Sequence, residues 1–556
     1  MSDAHDADIK WQKETHVPVA PERLFTYLAD FTSARAWDPF VVDAELTSDL
    51  PIQIGTKFCV HFRMGPTTQA LNYTITEYEA PNKVVLSCQF NEMQLLDTIE
   101  IRPDATNPEH SIVSYCLEVF YQQSNALRVK IGKAMVNRLA SKSFKNLRRL
   151  GFEEGNRLQE YPALLDKSWL PGLYQFTRYG FFKRKQKYEP LPINRANTRV
   201  VITGTTSGLG GAMAVELARA GVELIMINRS PEKAQSLAEH LRARFKTKVH
   251  CFEADLSSVQ AAVDVGKQIA KQFDYIDVLI NNAGDLRETR ETTTEGFELH
   301  FALLLLSPFA LIQTLLPNLQ AGGGSKTGSN RRAGRVVNLG SGGLYAQPIH
   351  FDDLQYQHGE FNGAKAYARN KRALVDITQH AARLFDQDKL VFHAMHPGWA
   401  KTPGVERALP KFANKVSALL RTPFQGAETG AWLALSRTPG YHSGKFWLDR
   451  QTHTTEIVPG TNTEPAKQAQ LYEKLLELSQ RFVQQAEMSS QAVNAGTDST
   501  INEQEVMHSP LSEQTQTAQA RPAHDQDVTT SHAEEQVLAT ELDPEQSEHV
   551  VKRSGT

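Results

Sequence analysis

Apolar and polar residues alternate with a period of two through Phe58–Phe62, Leu71–Tyr78, Val84–Phe90, Leu95–Ile101 and Ile112–Tyr121. Such alternation, rich in aromatic and β-branched residues, predicts antiparallel strands with one buried face. Gly55, Gly65, Pro81-Asn82 and Pro103-Asp104 supply turn chemistry around them. Ahead of the strands, Val17–Asp30 carries Pro21 and then Leu24, Phe25 and Leu28 at helical spacing. Behind them the period lengthens over Ala126–Arg157, where Val129, Ile131, Met135, Leu139, Phe144, Leu147 and Leu150 form an apolar stripe and basic residues cover the other face. Residues 9–157 therefore read as an α+β domain, a curved antiparallel sheet with a long closing helix.

A different rhythm begins near Thr198. Arg199–Thr203 is a buried-strand pattern that runs into Gly204-Thr205-Thr206-Ser207-Gly208-Leu209-Gly210. A helix follows, carrying Met213, Leu217 and Ala220, and then a second strand, Glu223–Ile227. Strand, glycine loop, helix and strand in this order predict a doubly wound α/β domain, here residues 198–482. Phe301–Leu316 is almost wholly apolar. It is shorter than the roughly 20 residues a membrane-crossing helix needs, and it reads as a core helix. Residues 158–197 read as a connector. Its aromatic and basic stretch, 172–187, suits either contact with a lipid surface or packing on a neighbouring domain. The insertion Ala321–Gly334 has the composition of a flexible loop. Residues 484–556 contain no Phe, Trp or Tyr, so disorder is expected there.

Composition narrows the classes. A net charge of −3 gives no basic excess for nucleic acid. Cys59, Cys88, Cys116 and Cys251 have no metal-ligand spacing, so neither a metal nor a disulfide framework is expected. Met1–Lys10 lacks an apolar signal segment, which points to the cytoplasm, with membrane association through 172–187 open.

The glycine loop lets backbone approach a pyrophosphate, and the helix behind it offers free N–H groups and a positive dipole. Arg229, just past the second strand, suits a ribose 2′-phosphate where an acidic residue would bind a 2′-hydroxyl, so NADP is expected over NAD. Tyr367 and Lys371 stand four residues apart, on one helical face. The phenol would act as general acid/base, and the lysine would help it ionise. Ser341, after the strand Arg335–Leu339, would hydrogen-bond a substrate oxygen at the carboxyl end of a parallel strand.

Thr203-Gly204-x-x-x-Gly208-x-Gly210, Asp255-Leu256, Asn281-Asn282-Ala283-Gly284, Tyr367-x-x-x-Lys371 and Pro397-Gly398 resemble the ordered motif set of short-chain dehydrogenases/reductases. The resemblance implies catalysis by Ser341, Tyr367 and Lys371. It implies cofactor contacts from Gly204, Thr206, Ser207, Gly208, Leu209, Gly210, Arg229, Asp255, Leu256, Asn281, Ala283, Gly284, Tyr367, Lys371, Pro397, Gly398 and Thr402. It also implies a homo-oligomer formed through the helices around Phe301 and Tyr367. Val17-Pro18-Val19-Ala20-Pro21 with Phe25, and Trp37-Asp38-Pro39-Phe40, resemble the opening of the START-like (polyketide cyclase/lipid transport) superfamily, which implies a helix-grip domain able to hold an apolar ligand. One position departs from the dehydrogenase pattern. Leu304 stands where that family carries an asparagine thought to hold a water of the proton relay, and leucine has no polar group. Three readings follow: hydride transfer to or from a carbonyl or alcohol on an apolar substrate, a bifunctional cyclase–ketoreductase, or a lipid carrier or sensor whose second domain only binds nucleotide.

Overall fold

The computed structural model describes residues 6–64, 67–123, 125–152, 158–167, 173–322, 333–408 and 410–497. Gly65, Gly172, most of the insertion before Gly334 and the tail beyond Thr497 lie outside them. The first sheet is built from β1 (Ile9–Val17), β2 (Val41–Leu46), β3 (Lys57–Met64), β4 (Thr67–Glu79), β5 (Lys83–Phe90), β6 (Met93–Pro103) and β7 (Ser111–Tyr121). The strands are antiparallel in the order β1-β7-β6-β5-β4-β3-β2. The helix Pro21–Ala29 buries Leu24, Phe25 and Leu28 on this sheet's core, as its spacing required. Inside the core, Asp97 accepts a hydrogen bond from the Tyr115 hydroxyl, and burial pushes its carboxyl up to about 6.

The long helix differs from expectation in extent and in orientation. It ends at Leu147, because Gly151 turns the chain with a φ of +80° and folds Leu150 inward. Its first half buries small or short residues, Gly132, Val136 and Ala140, while Ser143, Leu147 and in part Phe144 follow on the same face. Ile131 is 62 % exposed and Met135 42 % exposed. The hydroxyl of Tyr121 and the Cδ1 of Ile9 crowd the place a Cβ would occupy on Gly132, so the helix sits close to the sheet on its small-residue face.

The second sheet contains β8 (Arg199–Thr203), β9 (Glu223–Asn228), β10 (Val249–Glu253), β11 (Val278–Asn281), β12 (Gly334–Leu339), β13 (Leu390–Met395), β14 (Lys445–Leu448) and β15 (Gln451–Thr452). Its order is β10-β9-β8-β11-β12-β13-β14-β15, parallel except for the last pair. The strand order reverses between β8 and β11, and ligands of doubly wound sheets bind at that switch point. Residues Leu299–Ala321 are long and apolar enough to span a membrane, yet most of their apolar run is buried in the core against the helix Val259–Gln272. The C-terminal helix runs Pro465–Thr497, beyond the expected domain end, because Gln, Ala, Glu and Met at 484–488 are strong helix formers. It buries Leu471, Leu475 and Phe482, and Tyr472 accepts a hydrogen bond from Gln313 at 3.0 Å.

The two domains meet through a charged seam on the helix Gly208–Ala220. Asp30 is fully buried and pairs with Arg244 at 2.8 Å and Arg219 at 3.2 Å, and Arg35 pairs with Glu216 at 2.6 Å. Arg23 donates to the carbonyls of Arg219 and Phe245, the last turns of two helices, where a cation meets the negative dipole end. The connector is also integrated. Phe176, Phe181 and Phe182 are buried, and Arg184 binds Asp449. Tyr174 and Tyr179 remain exposed.

Candidate active site

The end of β8 turns into the glycine loop with Gly204 at φ +70° and Gly208 at φ +55°. A Cβ on Gly204 would come within 2.9 Å of the Ala283 Cα, and one on Gly210 would meet the Gly204 carbonyl. Only glycine permits this approach. Ser207 leaves the amides of the following helix without a side-chain cap, so that N-terminus fits a pyrophosphate. Two asparagines to which the sequence assigned no role hold the loop. Asn228 Oδ1 accepts from Thr205 N at 2.7 Å, and Asn282 Nδ2 donates to the Thr203 and Gly204 carbonyls at 2.8 and 2.9 Å. Asn228 ends β9 and Asn282 follows the last residue of β11, both beside the loop, which is the signal that could have found them.

Arg229 is exposed one residue past β9, and no acidic side chain among the described residues pairs with it. Asp255 is exposed and accepts from Ser257 N, while Leu256 is 7 % exposed. Asn281 is buried. Its Nδ2 donates to Asn338, whose own Nδ2 donates to Thr378, and its Oδ1 is buried without a partner. Opposite the glycine loop, the Thr402 side chain lies 3.4 Å from where a Gly208 Cβ would be. Thr402 thus faces Gly208 across the cleft. The Pro397-Gly398 turn that leads there is held by Arg421, which donates to Pro397 O, Gln175 O and Phe176 O and is anchored by Asp449. No local pattern marks Arg421, since its partners lie in the connector and far along the chain.

β12 delivers Ser341 at its carboxyl end, and the helix Gly363–Leu384 delivers Tyr367 and Lys371. The Tyr367 hydroxyl lies near the Ser341 hydroxyl, which favours its ionised form. Burial outweighs that influence and pushes the phenol up to about 12, with the Asp285 carboxylate adding in the same direction. Burial pushes the Lys371 ammonium down to about 8. Its Nζ donates to Leu339 O at 2.6 Å and lies 5.7 Å from the Tyr367 ring centre. The lysine is thus aimed at the strand carbonyl, and burial of the phenol outweighs the acidification expected from it.

Leu304 is fully buried within a π-helical stretch, Ala302–Leu306. A Cβ on Gly284 would meet its Cδ2 at 2.9 Å and Lys371 Nζ at 3.9 Å. An apolar side chain therefore fills the space beside the lysine. At the mouth, Arg407 on the helix Pro403–Ala408 pairs with Asp285 at 2.5 Å. Phe392, Phe446 and Trp447 beneath the site are core residues. Trp399 is half-buried beside Phe176.

A family model described as short chain dehydrogenase matches residues 198–411, and one described as polyketide cyclase / dehydrase and lipid transport matches residues 8–151. Dehydrogenase/reductase SDR family member 12 of Bos taurus is 33 % identical over 316 residues, 56 % of this chain and 96 % of its own length. Retinol dehydrogenase 13 of Homo sapiens is 30 % identical over 257 residues, 45 % of this chain and 75 % of its own. L-sorbose reductase from Gluconobacter frateurii, solved with NADPH and L-sorbose, is 20 % identical with a TM-score of 0.37, covering 47 % of this chain and 98 % of that one.

Proposed function

From the premise that the chain belongs to the short-chain dehydrogenase/reductase family, with a START-like domain at its N-terminal side, we propose that it is an NADP(H)-dependent oxidoreductase acting on a carbonyl or secondary alcohol of an apolar substrate. The observation that carries this reading is the convergence of Ser341, at the carboxyl end of β12, with Tyr367 and Lys371 on the helix Gly363–Leu384, whose lysine reaches the Leu339 carbonyl of the same strand.

An NADPH held in this cradle would supply the hydride that reduces a carbonyl carbon, while the chain's own residues bind and protonate the oxygen. Ser341 Oγ and Tyr367 Oη hold the carbonyl oxygen, and the Tyr367 phenol gives it a proton. A phenol raised by burial is in the acid form that reduction requires. Lys371 would hold the nicotinamide ribose and return a proton toward Tyr367. Gly204, Thr206, Ser207, Gly208, Leu209 and Gly210 would cradle the pyrophosphate. Asp255 and Leu256 would meet the adenine, while Asn281, Ala283, Gly284, Pro397, Gly398 and Thr402 would line the nicotinamide end. The apolar substrate class is supported by the name of retinol dehydrogenase 13 and by the adjoining START-like domain, which we propose presents the substrate. The C-terminal helix lies across the helices Ser307–Ala321 and Gly363–Leu384, so the proposed homo-oligomer would pair through another face.

The test is NADPH-dependent reduction of apolar aldehydes and ketones by the full chain. For such substrates kcat/KM is expected to be flat through neutrality and to fall above pH about 8, as Lys371 loses its proton. A rise across that range points to a different acid. Arg229→Ala is expected to weaken NADPH binding by about 10- to 100-fold and leave NADH binding unchanged, the range of charge-assisted hydrogen bonds. Equal losses for both cofactors remove the 2′-phosphate assignment.

Leu304 favours a second reading, a nucleotide-binding carrier or sensor with little turnover. It predicts NADPH bound without turnover by the native chain, and turnover gained by Leu304→Asn. Substrate reduction by the native chain rules it out.

A further inference from the structure

We propose that the outward face of the helix Ala126–Leu147 is a docking surface for an anionic phospholipid bilayer. Leu127 is 68 % exposed, Ile131 62 % and Met135 42 %, and their spacing of four sets them in one row along the helix. The opposite row, Gly132, Val136 and Ala140, faces the sheet. The helix cannot roll to bury the larger row, because Tyr121 and Ile9 abut the Gly132 backbone and leave no room for a bulkier side chain. Val136, Leu147 and, in part, Phe144 pack on the sheet side, yet Leu127, Ile131 and Met135 remain outside as a second apolar row, which an ordinary surface helix does not carry.

Charge identifies the occupant. Between Glu118 and Glu153 the chain has no acidic residue. It carries Arg128, Lys130, Lys133, Arg138, Lys142, Lys145, Arg148 and Arg149, in a protein whose net charge is −3. Arg128 pairs with Glu92 and Arg149 with Glu189, while no ion pair engages Lys130, Lys133, Arg138 or Lys145 among the described residues. Arg138 shares the sector of the apolar row, and Lys130 flanks it. Apolar residues entering the acyl boundary with cations at headgroup level is the arrangement by which amphipathic helices lie on anionic membranes. A second copy fits poorly, because a two-fold pairing would press this basic surface against itself.

The test is flotation of the full chain with phosphatidylcholine vesicles and with phosphatidylcholine–phosphatidylserine vesicles. Binding is expected only to the anionic set, and it should weaken with salt. Ile131→Asp is expected to lower the partition coefficient by about tenfold or more, from lost apolar burial. The double variant Lys130→Gln/Arg138→Gln is expected to lower it by about 25-fold, at about fivefold per cation. All these positions are exposed, so unchanged NADPH affinity serves as the control for folding. Absence of binding to anionic vesicles overturns the proposal. So does binding that both variants leave intact, which would move contact elsewhere, including the exposed aromatics of the connector. A concentration-dependent dimer abolished by Ile131→Asp would assign the face to self-association and overturn the proposal as well.

Discussion

Tyr367→Phe is expected to lower kcat for carbonyl reduction by about a hundred- to ten-thousandfold while NADPH affinity stays within about twofold. The phenol is the acidic proton beside Ser341, whereas the glycine loop and the helix dipole bind phosphate without it. Phenylalanine keeps the ring's packing, so loss of turnover with retained affinity separates chemistry from binding. Fluorescence titration of NADPH with single-turnover reduction of an apolar aldehyde reads both quantities. Turnover close to that of the native chain would show that another group delivers the proton, and Asp285 would then be the carboxylate to examine. A parallel loss of NADPH affinity would instead assign Tyr367 to cofactor binding.

The second large effect lies far from the chemistry. Asp30→Ala removes the one carboxylate that faces both Arg219 and Arg244 in the seam between the domains. Removing one partner from a buried ion cluster leaves uncompensated charge, at a cost of about 3–5 kcal/mol. Burial alone would raise the Asp30 carboxyl, but the two guanidiniums and the Thr32 hydroxyl hold it well below the usual carboxylate range. The sign of the pH effect follows. A depressed folded-state pKa gives stability that is present above the unfolded value of about 3.9 and is lost as pH falls below it. The native chain should therefore lose stability in acid more steeply than Asp30→Ala does. Urea unfolding of both proteins at neutral and acidic pH measures this, and a difference under about 1 kcal/mol at neutral pH would mean that the seam contributes little. Arg219 sits on the helix whose first turn faces the phosphate cradle, so the same variant also tests whether the START-like domain steadies the cofactor site.

Much of this protein was legible along the chain because the relevant physics is local. Period-two alternation marked β3 to β7, and the passage from Arg199–Thr203 through three glycines into a helix marked the dinucleotide cradle. The four-residue spacing of Tyr367 and Lys371 put both on one helical face. Glycine at 204 and 210 is required by close backbone approach, a demand that leaves its trace in the residue itself. The tertiary structure decided what depends on partners distant in sequence. The stripe on Ala126–Leu147 has helical period, but periodicity alone cannot say which row meets the sheet. The answer came from Gly132 against Tyr121 and Ile9, contacts the local pattern does not encode. The direction of Lys371 toward Leu339 O, the apolar filling of the relay position by Leu304, and the anchoring of the Pro397-Gly398 turn by Arg421 are likewise long-range. So is the burial of Asp30 between two arginines, since a charge is tolerated in a core only where the fold brings its partners to it.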